Sequence, residues 1–193
     1  MKRTATTPDR IAEAAVSQLL LGGAASLTVG DVARRAGISS ALVHYHYDSK
    51  QGLLRAAAER LAVARTERRM RPLEGPGLDA IDALRLALEV EAASGGERAW
   101  HDLLHLGRDD APLKETLDRH RERELDTLAA RLPALLTSLG SAPAVAAEQL
   151  ALVVQAALDG FGLALATGVN PGSVRSAYDA FWLVVIGAGQ TGR

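Results

Sequence analysis

The stretch of residues 27–50 most constrains the fold, because it holds the signals for two short helices joined by a tight turn. Thr28 can accept a hydrogen bond from the free N–H groups of a helix start, and apolar residues follow it at helical spacing. Gly37 can take the positive φ of a tight turn, and Ser39 stands where the next helix needs an N-cap. The pattern predicts a helix-turn-helix. Three residues would bury its second helix against the first: Ile38, Val43 and Tyr47.

The outer face of this second helix carries hydroxyl, imidazole and phenol groups, which suit a DNA major groove and its flanking phosphates. We expect base contacts from Ser40 and His44, and a thymine methyl contact from Leu42. Ser39, which caps the helix, belongs to the same predicted interface. Contacts to the DNA backbone are expected from Thr28, Tyr45, His46 and Lys50. A generic helical hairpin has the same periodicity, but it would not explain this outward cluster.

Further residues at fixed offsets carry a family resemblance: Arg10-Ile11, Ala14-Ala15, Thr28-Val29, Asp31-Val32-Ala33, Ala36-Gly37-Ile38-Ser39, Val43, Tyr45-His46-Tyr47 and Ser49-Lys50. Residues 10 to about 54 thereby resemble the DNA-binding domain of the TetR family of bacterial transcriptional regulators. The sequence departs from the family pattern at His44, where Tyr is usual, and at Tyr47, where Phe is usual. Gly30 replaces a base-contacting side chain of some members. The resemblance implies a repressor, not an enzyme, that binds a palindromic operator as a homodimer and leaves it when a small effector binds.

Composition fits a globular protein with an uneven charge distribution. The 193 residues are 48% hydrophobic and include no cysteine, which excludes disulfides and thiolate chemistry and fits a reducing compartment. No apolar run follows the N-terminal Met-Lys-Arg, so no signal peptide is predicted and a cytoplasmic location is expected. Residues 1–71 hold 12 Lys and Arg against 6 Asp and Glu, whereas residues 72–193 hold 10 against 17. A basic N-terminal part predicts a phosphate partner for that part alone.

Helical periodicity continues along the whole chain without strand alternation, which predicts an all-α fold of about nine helices. A lead helix is expected from Thr7-Pro8 with Thr7 as N-cap, after a tail whose Lys2 and Arg3 can touch DNA. A bridging helix is expected over about 48–70, starting at Asp48, with its distal arginines in solvent. We therefore predict a DNA-binding domain over 1–50 and a helical domain for effector binding and dimerisation over 51–193.

Candidate effector contacts are polar or amphipathic residues on otherwise apolar helices, because a mostly apolar cavity needs a few orienting groups. They are Trp100, His101, Leu104, His105, Gln155 and Asp159. The alternative for the two histidines is a half-buried surface face. Few charged residues lie on the inner helices, which favours an uncharged or weakly charged apolar effector. No cofactor is expected.

His101 and His105 lie one helical turn apart in an outline similar to the zinc-protease H-E-x-x-H, with Asp in place of Glu. No third ligand stands at a fixed spacing, so no metal site is expected and a metal-dependent enzyme is the weaker hypothesis. A non-specific architectural DNA-binding protein without a ligand is the alternative to an operator-binding regulator.

Residues 150–166 are apolar nearly all round but fall short of a membrane span, so we expect burial on more than one side and no membrane partner. Small residues on this helix would let a partner helix approach closely, and the next helix carries an aromatic stripe. TetR-like proteins pair through their last two long helices. The predicted dimer interface comprises Ala156, Ala157, Gly160, Tyr178, Phe181, Trp182 and Val185. The alternative is ordinary core packing within one chain.

Overall fold

The computed structural model describes residues 6–190, and over this range the chain forms nine α-helices, two 3-10 turns and no β-strand. The all-α fold predicted from periodicity is therefore confirmed. Lys2 and Arg3 lie outside the described residues. The helices are α1 (Thr7–Gly22), α2 (Val29–Ala36), α3 (Ser40–Tyr47), α4 (Lys50–Met70), α5 (Gly77–Ala93), α6 (Gly96–Leu106), α7 (Ala111–Ser138), α8 (Ala147–Ala166) and α9 (Pro171–Ala188); the 3-10 turns are Ala24–Ser26 and Arg71–Glu74.

The start of α1 corrects the predicted cap, because Thr6 and not Thr7 is the N-cap. The Thr6 hydroxyl accepts from the backbone N–H of Asp9 at 3.4 Å, and the Asp9 carboxylate accepts from the Thr6 N–H at 3.1 Å. This reciprocal capping box needs an acidic or amide side chain at the third helical position, and only a cap at Thr6 places Asp9 there.

The helix-turn-helix forms as its local signals predict. Thr28 caps α2 by accepting from the Asp31 N–H at 3.1 Å, and Ser39 caps α3 by accepting from the Leu42 N–H at 3.3 Å. Gly37 ends α2 with φ 67° and ψ 40°, a left-handed conformation that side chains with a Cβ rarely adopt. Each helix boundary in this motif is thus set by one capping or turn residue.

The bridging helix α4 begins two residues later than predicted. The Ser49 hydroxyl accepts from the Gly52 N–H at 3.1 Å, so Ser49 caps the first turn in the role expected of Asp48. Asp48 instead lies in the connection from α3 with φ 55° and ψ −48°. A residue with that φ is already outside helical geometry, which is why α4 cannot begin there.

The chain divides into two compact units that do not follow the boundary predicted at residue 50. Unit 1 comprises Met1–Ala64 and Ser94–Arg119, so α6 and the first turns of α7 pack with the N-terminal helices. Its single apolar cluster includes side chains from both segments, among them Ile11, Leu27, Leu53, Trp100, Leu103, Leu113 and Leu117. The functional division at residue 50 stays a prediction, while α6 belongs structurally to unit 1.

Unit 2 comprises Arg65–Ala93 and His120–Arg193 and has its own apolar cluster. Tyr178 anchors α9 to α5 by donating its hydroxyl to the Ile81 backbone oxygen at 2.7 Å. The buried side chains of this cluster include Leu84, Leu88, Leu128, Leu132, Val154, Leu158, Tyr178 and Trp182.

Helix α8 has 20 residues, and its most apolar window has a mean hydropathy of 1.5. By length and composition alone it could cross a membrane, and 33% of that window is buried inside the chain. One such helix is weak evidence for a membrane span, because buried and interface helices share this composition.

Candidate nucleic-acid interface

The structure presents α3 with one buried and one exposed face, as a DNA-contacting helix requires. Val43 is buried at 1% exposure, while Ser40 and His44 lie exposed one turn apart. Tyr45 is 79% exposed and stacks edge-to-face on His46, with 5.1 Å between the ring centroids. Three further predicted contact residues are exposed before or after α3, namely Thr28, Ser39 and Lys50, and Leu42 is partly exposed on α3 itself. The predicted contact residues thus all belong to unit 1 and are at least partly exposed.

The N-cap of α2, Thr28, is another exposed residue of the predicted DNA interface. The Thr28 hydroxyl donates to the Asp31 carboxylate at 2.7 Å, and Arg34 forms an ion pair with the same carboxylate. The Thr28 hydrogen bond and then the Arg34 charge hold the pKa of Asp31 below its usual range. Because Asp31 stays ionised and paired, it neutralises part of the positive charge that Arg34 would offer to a phosphate.

Two polar contacts fix the orientation of the helix-turn-helix on α1. The Tyr47 hydroxyl donates to the Pro8 backbone oxygen at 2.8 Å, and burial raises the pKa of Tyr47, so it stays a donor. Arg10 donates to the Ala36 backbone oxygen at 2.6 Å, at the end of α2. The exposed face of α3 is therefore presented on a rigid support, which favours specific contacts over adaptable ones.

The end of α3 has an unusual conformation beside His44. The Tyr47 backbone oxygen accepts from the Ser49 N–H at 2.5 Å, which closes a γ-turn around Asp48. The Asp48 N–H donates to the His44 backbone oxygen at 2.8 Å, and the His44 ring nitrogen Nδ1 lies 3.3 Å from the Asp48 backbone oxygen. This turn is not predicted from the sequence, because residues other than glycine seldom adopt a positive φ.

The six predicted effector contacts divide between the two units. Four lie in unit 1, where Trp100 is buried in the core and Leu104 packs against it. His101 is half-buried, with its Nε2 atom 4.0 Å from the buried Glu97 carboxylate. His105 lines a groove of about 560 Å³. Other residues lining that groove include Lys50, Leu54, Asp102, Leu106 and Asp110.

The histidines of α6 and the aspartate between them in sequence, Asp102, are possible metal ligands by residue type. Within the described part of the chain, no three His, Asp or Glu side chains come close enough to hold a metal ion. The Asp102 side chain, which stands between the two histidines in sequence, accepts from the Ala24 N–H at 3.1 Å. That carboxylate is therefore engaged in joining α6 to the turn before α2.

Two more contacts join α6 and α7 to the rest of unit 1. Arg98 donates to the backbone oxygens of Leu20 and Leu21 at 2.9 and 3.0 Å, which satisfies carbonyls left free at the end of α1. Arg55 on α4 pairs with Asp110 at 3.1 Å, and this arginine holds the pKa of Asp110 below its usual range. Helix α6 is thus fixed to α1, and the start of α7 is fixed to α4.

The other two predicted effector contacts lie in unit 2, in a buried polar cluster. Gln155 is buried and donates its side-chain N–H to the Arg121 backbone oxygen at 3.2 Å. Asp159 accepts from Arg65 at 2.6 Å and from Arg69 at 2.7 Å. Burial alone would raise the pKa of Asp159, but the two guanidinium charges outweigh it and hold that pKa below its usual range.

The predicted solvent exposure of the distal arginines on α4 is wrong for Arg65 and Arg69, whose side chains are each 1% exposed. Arg65 also bonds both oxygens of Glu124 at 3.0 Å through one nitrogen, and Thr66 donates to the same carboxylate at 3.1 Å. The two carboxylate partners of Arg65 lie 59 and 94 residues away from it in sequence. A periodicity argument on one helix has no access to such partners.

The predicted dimer residues divide between two faces. Ala156 and Gly160 are exposed on α8, and Ala157, Phe181 and Val185 are partly buried. Tyr178 and Trp182 are each 2% exposed in the core of unit 2, so their assignment to an interface is wrong and core packing, the alternative, holds for them. The prediction missed other exposed apolar residues on these two helices: Leu152, Val153, Leu163, Leu183 and Val184.

Residues 11–57 match the family model described as bacterial regulatory proteins, tetR family. No curated protein gives a significant match to the sequence. Among solved structures, a transcriptional regulator from Rhodococcus sp. Rha1 is 24% identical with a TM-score of 0.73, over 97% of each chain. A TetR-family regulator from Streptomyces coelicolor is 17% identical with a TM-score of 0.74, over 95% of each chain.

A structure described as a transcriptional regulator from Saccharomonospora viridis in complex with choline is 21% identical, with a TM-score of 0.73. It aligns over 90% of this chain and 94% of that chain. At these identities the three likenesses establish the fold, while the family model accounts for the helix-turn-helix itself. The N-terminal match therefore makes residues 11–57, which hold the helix-turn-helix, similar to bacterial regulatory proteins of the tetR family.

Proposed function

We propose that the protein is a repressor that binds a palindromic operator as a homodimer and leaves it when a small effector binds. The observation that carries the proposal is the exposed face of α3, where Ser40 and His44 stand one turn apart on a rigidly anchored helix. Side chains of this length reach base edges in the major groove. Thr28, Tyr45, His46 and Lys50 are exposed or half-exposed around them and would contact the phosphates. Such a regulator acts in the cytoplasm.

The homodimer is proposed to form through the outer faces of α8 and α9. Leu183 and Val184 are 72% and 71% exposed on α9, and Leu152 and Val153 are 56% and 53% exposed on α8. Large apolar side chains exposed on two helices in contact with each other favour a protein partner over water. One α3 helix contacts few base pairs, so two copies on a two-fold axis supply the affinity and require a palindromic site.

Effector-driven release from DNA is supported by helix α4, whose residues belong in part to unit 1 and in part to unit 2. Helix α4 begins at the predicted phosphate contact Lys50 and continues into unit 2, where Arg65 and Arg69 are held by Asp159. An effector that binds one arrangement of unit 2 better than another can shift α4 and with it α3. A relative of the same fold holds choline, which supports a small organic effector.

The proposed effector includes compounds with a charged group, a broader class than the sequence predicts. The small number of charges on the inner helices favours an uncharged or weakly charged apolar effector, but unit 2 buries Arg65, Arg69 and Glu124. A charged group on the effector could therefore find a partner there.

Selection of bound duplexes from a randomised pool tests the proposal. We expect an enriched palindrome with half-sites about one helical turn apart. Leu183→Asp is expected to convert the dimer to monomers in sedimentation at micromolar concentration and to weaken operator binding. Leu86→Asp, on the exposed face of α5, is the matched control and should leave the dimer intact. Binding of all sequences alike would favour the architectural alternative, and operator binding by a monomer would refute the dimer.

A further inference from the structure

One hydrogen bond at the end of α3 decides which ring nitrogen of His44 is available to a base. His44 Nδ1 lies 3.3 Å from the Asp48 backbone oxygen. Because a carbonyl oxygen can only accept, the imidazole proton in this contact is on Nδ1. In the neutral ring the other nitrogen, Nε2, then has a free lone pair and acts as an acceptor.

The backbone holds this carbonyl in place at a conformational cost. Among residues 6–190, Asp48 is the only residue other than glycine with a positive φ, and it is the centre of the γ-turn closed by Ser49 and Tyr47. A γ-turn of this sign is strained and rare. Asp48 is bonded to His44 twice, through its N–H to the backbone oxygen and through its own oxygen to the ring. The turn and the histidine orientation are therefore one structural feature.

The base edges of the major groove divide according to the hydrogen-bonding role that they offer. Adenine presents an amino group at N6 and cytosine presents one at N4, whereas guanine presents the acceptors O6 and N7 and thymine presents the acceptor O4. An acceptor on the protein pairs with an amino group, but it meets guanine or thymine as two facing lone pairs.

We propose that His44 reads its base through Nε2 as an acceptor and selects an amino group, on adenine or cytosine, against guanine and thymine. The inference rests on the proposed docking of α3 in the major groove, where His44 is exposed one turn after Ser40. Donation to guanine through Nε2 would require the other tautomer and the loss of the bond to Asp48. The strained turn at Asp48 thus acts as a specificity determinant without touching DNA.

The tautomer can be measured on the full-length protein without DNA. Nitrogen-15 NMR of the imidazole groups distinguishes a protonated Nδ1 from a protonated Nε2, and pH 8 keeps imidazole rings neutral. The chain has five histidines, so the His44 signals are those missing from the spectrum of the His44→Gln variant. We expect protonation on Nδ1. Protonation on Nε2 would overturn the inference and would leave operator binding untouched.

The base preference is measured by comparing pools selected by the wild type and by His44→Ala. The operator position whose preference disappears in the variant is the one that His44 reads, and we expect adenine or cytosine there. Replacing that adenine by purine, or that cytosine by 2-pyrimidinone, removes only the amino group and should weaken wild-type binding about fivefold. His44→Ala should not respond to the same replacement, whereas His44→Gln, which keeps an acceptor, should retain the preference.

Two results of the pool experiment would overturn this inference but not the proposed function. One is a His44-dependent preference for guanine or thymine, and the other is an enriched operator that His44→Ala selects unchanged. A pool in which the wild type enriches no sequence would overturn operator binding and base reading together. The first two outcomes leave a specific operator in hand, so they are distinguishable from failure of the proposed function.

Discussion

Replacing Asp159 by asparagine should destabilise the protein by about 3 kcal/mol, because it leaves two buried guanidinium groups with less negative charge beside them. Asp159 accepts from Arg65 at 2.6 Å and from Arg69 at 2.7 Å, and each arginine side chain is 1% exposed. Arg65 keeps its bonds to Glu124, and the Asp159 side chain is 23% exposed. We therefore expect the lower end of the range measured when one partner of a buried pair is removed.

Urea unfolding at pH 7 and fixed protomer concentration measures the change, since the proposed dimerisation would make stability concentration-dependent. Asp126→Asn is the matched control, because Asp126 is exposed on α7 in the same unit and its substitution should change stability by less than about 0.5 kcal/mol. In a double-mutant cycle, Asp159→Asn with Arg69→Met should cost at least about 1 kcal/mol less than the sum of the single changes. An Asp159→Asn protein as stable as the wild type, with an unchanged urea dependence, would refute the stabilising role of the cluster.

Three further results are expected. Because the pKa of Asp159 is lowered in the folded protein, its contribution to stability is complete above about pH 4 and is lost as the pH falls through the folded pKa. The unfolding curves of wild type and Asp159→Asn should therefore differ at pH 7 and converge in acid. Lys50→Ala should weaken binding to all duplexes alike and reduce the slope of log affinity against log salt by about one, and an unchanged slope would exclude Lys50 from the phosphate contacts. Thr28→Ala should cost about 1 kcal/mol in thermal or urea unfolding through the lost cap of α2, while Ser17→Ala, at a partly buried position inside α1, serves as the control.

The parts of the structure that the sequence predicts are those set by neighbouring residues. Thr28, Gly37 and Ser39 each act within four residues of their own position, through a cap or a turn, and all three act as expected. The same locality explains the two small errors in helix starts. A threonine pair and an Asp-Ser pair each offer two adjacent caps, and the choice at Thr6 depends on Asp9.

The parts that the sequence did not predict depend on partners far along the chain. Helix α9 is apolar on both faces, so periodicity alone could not tell the core residues Tyr178 and Trp182 from the exposed Leu183 and Val184. Arg65 looked like a solvent-exposed charge because its partners Glu124 and Asp159 belong to other helices. Ser40 and His44 are exposed as their role requires, and the base contacts proposed for them stay a prediction.

The discontinuous make-up of unit 1 limits how this protein can be cut or recombined. A fragment ending at residue 50, or at Ala64, would lack Trp100, Leu103 and Leu113, which are at most 1% exposed in the same apolar cluster as α1 and α4. Such a fragment would expose the matching apolar surface and would aggregate or unfold. A chimera that exchanges one whole unit with a relative therefore needs junctions at 64/65, 93/94 and 119/120, two of them inside helices, and α6 must stay with α1 to α3.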